Sequence, residues 1–117
     1  MDTYRLKSGT NRNQRRLWIE GTRLLDAGLT KGTALYRTMH DDGTMTLSTA
    51  KVTRRDGEPA AKRHTIAGKG TGHPVLDLCG KWVTAFMGDH THFEVETWTR
   101  GADERVTTDL IITPVTH

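Results

Sequence analysis

The spacing of hydrophobic residues changes halfway through the stretch "LWIEGTRLLDAGL", residues 17–29. Leu17 and Ile19 alternate with residues of the opposite face, as in a β-strand, whereas the apolar residues after Gly21 have helical spacing for barely two turns before Gly28. Glycine at the end of a helix readily takes the left-handed conformation that terminates it. The pattern predicts a strand followed by a short helix, and a helix of this length depends on tertiary packing for its stability.

A second copy of this pattern begins at Val75, in "VLDLCGKWVTAFMG". Strand-like alternation is again followed by a glycine, a short apolar helix and a closing glycine, with one extra residue in the second copy. The corresponding residues are Leu17 and Leu76, Ile19 and Leu78, Gly21 and Gly80, Leu24 and Val83, and Gly28 and Gly88. We expect the aliphatic residues of this set to be buried together.

Each copy continues into two further predicted strands. In the first, alternation over Leu35, Arg37 and Met39 precedes the tight-turn signal "DDG", and Met45 and Leu47 then face one side of the returning strand. About 40 residues per copy are too few for an independent core, so we expect the two copies to share one.

The second copy follows the same order of elements. Phe93 and Val95 share one face of a strand, which places Trp98 on the opposite face. There it could be exposed, but we expect it to pack under the basic segment between the copies. "TRGADER" forms a longer loop, and Pro114 is predicted to end the returning strand because proline cannot donate to a β-ladder. Both copies therefore consist of a strand, a short helix, a strand, a turn and a strand.

The motif "RLWIEGTRLLDAGLTKGTALYRT...GTMTLS" resembles the SpoVT/AbrB family of swapped-hairpin proteins, and more closely its SymE-like branch. The first copy carries Gly21, Leu24, the "AGL" segment that includes Gly28, and Gly32 of that branch's pattern. The second copy has the helix start "GKWV" but replaces the later segment with "AFMGDH". Similar tandem copies precede some phage-type DNA cytosine methyltransferases, although this chain has no methyltransferase motif.

The resemblance implies a mainly β fold with two short helices, in which two β-α-β-β repeats of one chain form a swapped-hairpin β-barrel. Each helix would close an open end of the barrel, and the usual homodimer would become a monomer with internal pseudo-twofold symmetry. The expected division is a basic arm over 1–14, a first repeat over 15–49, a linker or hairpin over 50–73 and a second repeat over 74–117. Residues 15–117 would form one structural domain.

The stretch between the copies is basic and contains a turn signal. "AKVTRR" and "AKRHTIA" flank "DGEP" and are compatible with a partly mobile hairpin, and the alternative is a flexible linker that ends in "GKGTG". "GKGTG" lacks the Gly-x-x-x-x-Gly-Lys-Ser/Thr spacing of a phosphate-binding loop and precedes no predicted helix. We therefore favour a hairpin without a nucleotide-binding role.

Composition limits the classes of protein that fit. With 117 residues, 34% hydrophobic and 26% charged, the chain is expected to be globular with a thin core. Cys79 is the only cysteine, so no internal disulfide can form, which fits a reducing compartment. Because no apolar run reaches membrane-spanning length and the N-terminus has no signal-peptide pattern, we expect a cytoplasmic protein.

Basic residues are concentrated near the N-terminus and between the copies, which predicts an electrostatic contact with phosphates. The resemblance adds that family members commonly bind DNA as regulators or antitoxins, and that the SymE-like branch is associated with toxins and nucleic acids. The first hypothesis is therefore binding to a DNA or RNA backbone. Its candidate residues are Arg15, Arg16, Arg23, Arg37, Arg54, Arg55, Lys62 and Arg63.

The alternative hypothesis is a protein partner. The second copy carries Glu94 and Glu96 where a symmetric reader of nucleic acid would need positive charge. With Trp98 they form the acidic strand "FEVETW", which would suit a basic surface of another protein. A phage-type inhibitor of a host nucleoprotein defence complex, of the anti-CRISPR or anti-restriction kind, would have this property.

No motif predicts catalysis, a cofactor or a metal site, so we predict a non-enzymatic protein. His90 and His92 lie two residues apart at the start of a predicted strand and share a face, but the spacing supplies no third ligand. Cys79 is interpreted as structural rather than nucleophilic. Trp82 lies at a helix start and is expected to belong to the core.

Overall fold

The computed structural model describes residues 2–51, 62–68, 72–101 and 106–116. This part of the chain is mainly β with two short helices, as predicted. Its elements are β1 (Asp2–Lys7), β2 (Gly9–Asn11), β3 (Gln14–Glu20), α1 (Thr22–Asp26), β4 (Ala34–Met39), β5 (Met45–Ser48), β6 (Lys62–Thr65), β7 (Ala67–Gly68), β8 (Pro74–Cys79), α2 (Lys81–Met87), β9 (His92–Arg100) and β10 (Thr107–Val115).

The strands form two separate antiparallel sheets. The larger sheet has the order β1-β9-β10-β5-β4-β6, and the smaller sheet has the order β2-β3-β8-β7. Each sheet ends in two edge strands, so the described strands do not form the closed barrel that the sequence predicted. Closure would require every strand to be paired on both sides, and no pairing joins one sheet to the other.

The strand order of both sheets is symmetric. When β1–β5 are exchanged with β6–β10, each sheet maps onto itself: β1 pairs with β9 as β6 pairs with β4, and β2 pairs with β3 as β7 pairs with β8. In two residue pairs, the exchange swaps the two partners with each other. These pairs are Trp18 opposite Asp77 in the smaller sheet and Leu47 opposite Leu110 in the larger one. We call residues 2–48 the first half and residues 62–115 the second half.

The segments that flank the expected repeats also contribute to the sheets. Residues 2–11, interpreted from the sequence as a basic arm, supply β1 and β2, and residues 62–68 of the expected linker supply β6 and β7. A two-residue turn at Arg12 and Asn13, with φ of 52° and 66°, joins β2 to β3. Positive φ at both positions is typical of the hairpin turn that matches the twist of β-strands.

Some of the predicted loops fall outside the described residues. These are 52–61 and 69–71, which include all of "DGEP" and part of "GKGTG", and 102–105 of the predicted loop "TRGADER". The last strand differs from its prediction, because β10 continues through Pro114 to Val115. The pairing of β5 with β10 stops at Ile112, so Pro114 has a neighbouring strand on one side only, where a missing N–H is tolerated.

The predicted core is confirmed. Its six aliphatic residues are buried in one cluster: Leu17, Ile19, Leu24, Leu76, Leu78 and Val83. Leu35, Leu47, Phe93, Val95 and Leu110 of the larger sheet belong to the same cluster. Both halves therefore supply one shared core, and Trp82 packs at its edge.

Both helices pack against β3 and β8 and follow a sharp turn of the backbone. Gly21 and Gly80, which precede α1 and α2, have φ of 72° and 136°, a region that other residues rarely adopt. The helices deliver buried side chains to the core, but they have no barrel to close. Neither helix is long and apolar enough to cross a membrane.

Candidate binding surfaces

Arg15 links the two halves internally. Its guanidinium donates to the carbonyl of Gly88 at 3.2 Å, to the carbonyl of His90 and to the hydroxyl of Ser8, and its backbone N–H donates to Thr84 Oγ1 at 2.9 Å. Carbonyl groups at the end of a helix such as α2 have no partner within the helix, so this contact satisfies them. A guanidinium with three acceptors is not available to a phosphate.

Arg16 is neutralised on the outer surface of the smaller sheet. Its Nε and Nη2 donate to the two carboxylate oxygens of Asp77, both at 2.8 Å, and its guanidinium carbon lies 4.3 Å from the ring centroid of Trp18. The hydrogen bonds to Asp77 raise the pKa of Arg16 above its ordinary value. Bidentate pairing of this kind competes with phosphate for the same N–H groups.

Arg37 lies in a half-buried, aromatic environment. Its guanidinium carbon is 3.5 Å from the ring centroid of Trp82, and its Nη1 is 3.2 Å from Nε2 of His64. The rings of His64 and Trp82 are 5.5 Å apart between centroids. Burial lowers the pKa of Arg37, and burial followed by the charge of Arg37 lowers the pKa of His64. A phosphate contact would have to break this stack.

Arg23 is exposed on α1, with its guanidinium carbon 4.6 Å from the ring centroid of Tyr4. Burial raises the pKa of Tyr4 to about 12. Arg23 lines a depression of about 270 Å³ together with Asp2 and Asp26. The two carboxylates reduce the attraction of this depression for a phosphate.

Two of the four remaining candidates for nucleic-acid binding, Lys62 and Arg63, lie on β6. Lys62 and Arg63 are exposed on this edge strand and form no ion pair with the described residues. Arg54 and Arg55 lie outside the described residues. The structure therefore leaves Lys62 and Arg63 as exposed cations, whereas Arg15, Arg16 and Arg37 have internal partners.

The residues of the alternative hypothesis lie together. Glu94, Glu96 and Trp98 occupy the outer face of the larger sheet, opposite the buried Phe93 and Val95. The indole Nε1 of Trp98 donates to Glu96 at 3.1 Å. Trp98 lies on the predicted face of its strand and is exposed, with 45% of its surface accessible.

An open groove of about 530 Å³ crosses this outer face between the β4–β5 turn and β9. Four carboxylates line it and, among the described residues, neither lysine nor arginine does; we call it the acidic groove. Its lining residues are His40, Asp41, Asp42, Thr44, Thr46, Glu94, Glu96, Ile111 and Thr113. At the rim, Arg5 of β1 pairs with Glu94 at 3.0 Å.

Hydrogen bonds hold the β4–β5 side of the acidic groove in place. Asp42 Oδ1 accepts from the backbone N–H of Thr44 at 3.0 Å and from its hydroxyl at 2.7 Å, and these bonds lower the pKa of Asp42. His40 Nε2 lies 2.7 Å from Thr46 Oγ1. The carboxylate of Asp42 therefore remains ionised in a fixed position near neutral pH.

The acidic groove differs in charge from the depression beside it. A neighbouring depression of about 280 Å³ shares His40 and Thr46 with it but also contains Lys51, Arg100 and Asp109. Arg100 Nε lies 3.3 Å from the Asp109 carboxylate. With two cations and one carboxylate, this second depression has a net positive charge, so a cationic partner would prefer the acidic groove.

The sequence analysis does not place His40, Asp41 and Asp42 beside Glu94 and Glu96. The consecutive acids of "DDG" were interpreted only as a turn. Their proximity to Glu94 and Glu96 depends on β10, which pairs with β5 on one side and β9 on the other. The sequence contains no local signal for that long-range pairing.

The histidine pair has separate local partners. His90 precedes β9 and its Nδ1 lies 3.1 Å from Thr116 Oγ1, whereas His92 begins β9 and its Nδ1 lies 2.7 Å from Thr91 Oγ1. Cys79 is a half-buried free thiol. Within the described ranges, no three His, Cys, Asp or Glu residues are grouped so that they could hold a metal ion.

No family model, curated protein or solved structure matches this chain. Proposals about its function therefore rest on the surfaces described above and on the resemblance of its motifs.

Proposed function

We propose that the chain is a small non-enzymatic binding protein that recognises a basic surface of another protein through the acidic groove. The observation that carries this proposal is the grouping of Glu94 and Glu96 with Asp41 and Asp42 in one groove. Carboxylates held on a rigid sheet meet the cations of a partner with little reorganisation, which favours both association rate and specificity. Trp98 lies next to Glu96 and would add an aromatic anchor, a residue type enriched at interface hot spots.

The class of partner follows from the charge. Proteins that hold nucleic acids present lysine and arginine side chains to phosphates, so a surface with fixed carboxylates can occupy the same place. A host nucleoprotein defence complex has such surfaces, and an anti-CRISPR or anti-restriction role is the function that this chemistry supports. The basic site of the complex would be blocked by competition with its nucleic acid.

We also propose the SpoVT/AbrB-like, SymE-like relationship in a modified, open form. Its support is the symmetric strand order and the two glycine-preceded helices. The symmetry relates two halves of one chain, which supports a monomer with internal pseudo-twofold symmetry. A cytoplasmic location fits both proposed partners.

Nucleic-acid binding is the second candidate function. Lys62 and Arg63 favour it, because they are exposed and adjacent on β6 and have no ion pair within the described residues. A DNA or RNA backbone that follows this edge would be bound with an affinity that falls with salt, with a log–log slope of about −0.9 for each phosphate neutralised on duplex DNA.

Paired charge variants separate the two functions. Three proteins would be compared: the wild type, the double variant Glu94→Lys with Glu96→Lys, and the double variant Lys62→Glu with Arg63→Glu. Each would be used to capture partners from nuclease-treated host lysate. Each would also be tested in mobility-shift assays with random duplex DNA and RNA at two salt concentrations. We expect capture to be lost only when Glu94 and Glu96 are replaced by lysine. The control is Asp26→Asn, at an exposed position of α1. Loss of a DNA or RNA shift only in the Lys62 and Arg63 variant would favour the second function. Unchanged capture by the variant with Glu94→Lys and Glu96→Lys would contradict the protein-binding function.

A further inference from the structure

Strand β6 is held on the larger sheet by one neighbour only. It pairs with β4 through Ala34–Thr65, Leu35–His64, Tyr36–Arg63 and Arg37–Lys62 and forms the edge of the sheet. A strand of four residues with one paired side contributes few backbone hydrogen bonds. Directly after the strand, the buried Ile66 is held by backbone hydrogen bonds to Gly32 and Thr33. Within β6 itself, attachment therefore depends on the pairing with β4 and on side chains that cross to neighbouring elements.

His64 is the side chain of β6 that makes such a contact. It lies between Arg37 of β4, at 3.2 Å from Nη1 to Nε2, and the ring of Trp82 on α2. A guanidinium N–H can only donate, so Nε2 of His64 can accept only while that nitrogen carries no proton. Protonation would convert this hydrogen bond into a contact between two cations.

The surroundings of His64 offer no compensation for a second positive charge. On β4 the facing charged group is Arg37, and on α2 the facing residue is the uncharged Trp82. Along β6, His64 lies between Arg63 and the uncharged Thr65, with Lys62 two positions before it. Among the described residues, no carboxylate forms an ion pair with His64. An added proton would therefore be met by cations on the neighbouring strand and on the same strand.

We infer that His64 and Arg37 form a pH-sensitive latch that holds β6 against β4 and α2 near neutral pH and weakens as acid protonates His64. Release of β6 would free the strand that carries Lys62 and Arg63 and would expose one side of β4. The latch depends only on contacts within the chain, so it stands whether the partner is a protein or a nucleic acid.

The direction of the pH effect follows from proton linkage. Burial, and then the charge of Arg37, lower the pKa of His64 from its ordinary 6.5. A histidine with a lowered pKa contributes stability to the closed form above about pH 6.5, and that contribution is lost as the pH falls from there through the pKa of the closed form. The free energy of opening β6 should therefore decrease between neutral and mildly acidic pH.

The first half contains a built-in control. Tyr4 of β1 is the residue of the first half that corresponds to His64 of β6. Tyr4 pairs with Val95 of β9 as His64 pairs with Leu35 of β4. Tyr4 also contacts Arg23 of α1, as His64 contacts Trp82 of α2. The pKa of Tyr4 is raised to about 12, so its hydroxyl does not titrate in acid. The corresponding junction of β1 should be insensitive to pH.

Amide hydrogen exchange and NMR titration of the whole chain test the latch. The opening constants of β6 and β1 would be measured between pH 5 and 8, after correction for intrinsic exchange, and the ring of His64 would be titrated beside the other histidines. We expect the pKa of His64 to lie below its ordinary 6.5 and the opening constant of β6 to rise in acid. The rise should be about tenfold for each unit that separates the pKa of the open form from that of the closed form. The opening constant of β1 should not change.

Variants at position 64 provide the decisive comparison. His64→Gln keeps a polar side chain that can accept a hydrogen bond without titrating, and His64→Tyr copies the residue of the first half. Both should remove the acid-induced opening of β6, and the indole resonance of Trp82 should lose its pH dependence in the same range. The latch is overturned if wild-type β6 opens equally at pH 5 and pH 7.5, or if the pKa of His64 is not lowered from its ordinary 6.5. It is also overturned if His64→Gln keeps the wild-type pH response.

Discussion

The two halves of this protein share a scaffold but present different surfaces. Strands β4 and β9 occupy corresponding places in the two halves. Leu35 of β4 pairs with His64, and Val95 of β9 pairs with Tyr4, the residue that corresponds to His64. At the next positions along these strands, the first half has Tyr36 and the second half has Glu96 on the outer face of the larger sheet. The interior tolerates little change because both halves fill one core, whereas the outer face is free to differ.

This difference bears on function. A reader of palindromic DNA needs equivalent positive surfaces on both halves, and the acidic side chains of β9 have no counterpart on β4. The symmetric framework therefore supports an asymmetric binding surface. Glu94, Glu96 and Trp98 give the second half its own chemistry, and the turn with Asp41 and Asp42 completes the groove from the first half.

The largest expected effect concerns the helices, which differ in how firmly each is anchored. Leu24 is the only buried residue of α1, whereas α2 buries both Val83 and Met87. Leu24→Ala should lower the free energy of unfolding by about 2–5 kcal/mol, because the cavity adds to the loss of apolar burial. Urea titration measures this, with the neighbouring and exposed Leu25→Ala as the control. A loss below about half a kcal/mol, which is the size of a surface effect, would mean that α1 does not depend on this anchor.

A smaller effect is expected where the first half holds the end of α2. Arg15→Met keeps the aliphatic contacts and removes the hydrogen bonds to the carbonyls of Gly88 and His90. Hydrogen bonds to a charged group contribute about 1.5–3 kcal/mol, so the free energy of unfolding should fall by an amount of that order. Lys7→Met on exposed β1 is the control. Unchanged stability together with weakened DNA binding would indicate that Arg15 contacts nucleic acid, as the first hypothesis expects.

The smallest effect on stability should come from the outer face. Trp98→Ala removes an exposed side chain and should change the free energy of unfolding by only about half a kcal/mol or less. Its effect on binding should be much larger, because aromatic anchors at interfaces often contribute more than 1 kcal/mol, on the order of a tenfold loss of affinity. Urea titration and partner capture measure the two effects separately. A large loss of stability would instead assign Trp98 to the scaffold.

The self-association of the chain gives a further test of the comparison. Because both halves lie in one chain and complete each other's sheets, light scattering at micromolar concentration should show a monomer. An obligate dimer would mean that the symmetric sheets of one chain are not a complete unit and that an interface between chains is missing from the account.

The sequence predicted the parts of this fold that local spacing controls. Alternation in the strands, the glycines before the helices and the shared aliphatic core could be recognised because each leaves a periodic pattern. β1 and β2 were missed because Arg12 and Asn13 form a two-residue turn without the usual Asn-Gly signal, and the net positive charge of the segment favoured an arm. The closed barrel was wrong because family resemblance cannot establish which strands remain unpaired.

The site was less predictable than the fold. Glu94, Glu96 and Trp98 could be placed on one face from β-alternation alone, but their approach to Asp41 and Asp42 depends on pairing between distant strands. The internal partners of Arg15, Arg16 and Arg37 were invisible for the same reason. Charge counted along the sequence overestimated the cations available to a phosphate, since ion pairs and aromatic stacks use several of them.

Site-specific photo-crosslinking tests the central claim most directly. A photoreactive residue would replace Thr46 inside the acidic groove in one variant and Arg63 on β6 in another, and each would be irradiated in host lysate with and without nuclease. We predict a protein adduct from position 46 that survives nuclease treatment and disappears when Glu94→Lys and Glu96→Lys are added. Adducts from position 63 alone, with nucleic acid and lost on nuclease treatment, would contradict the account.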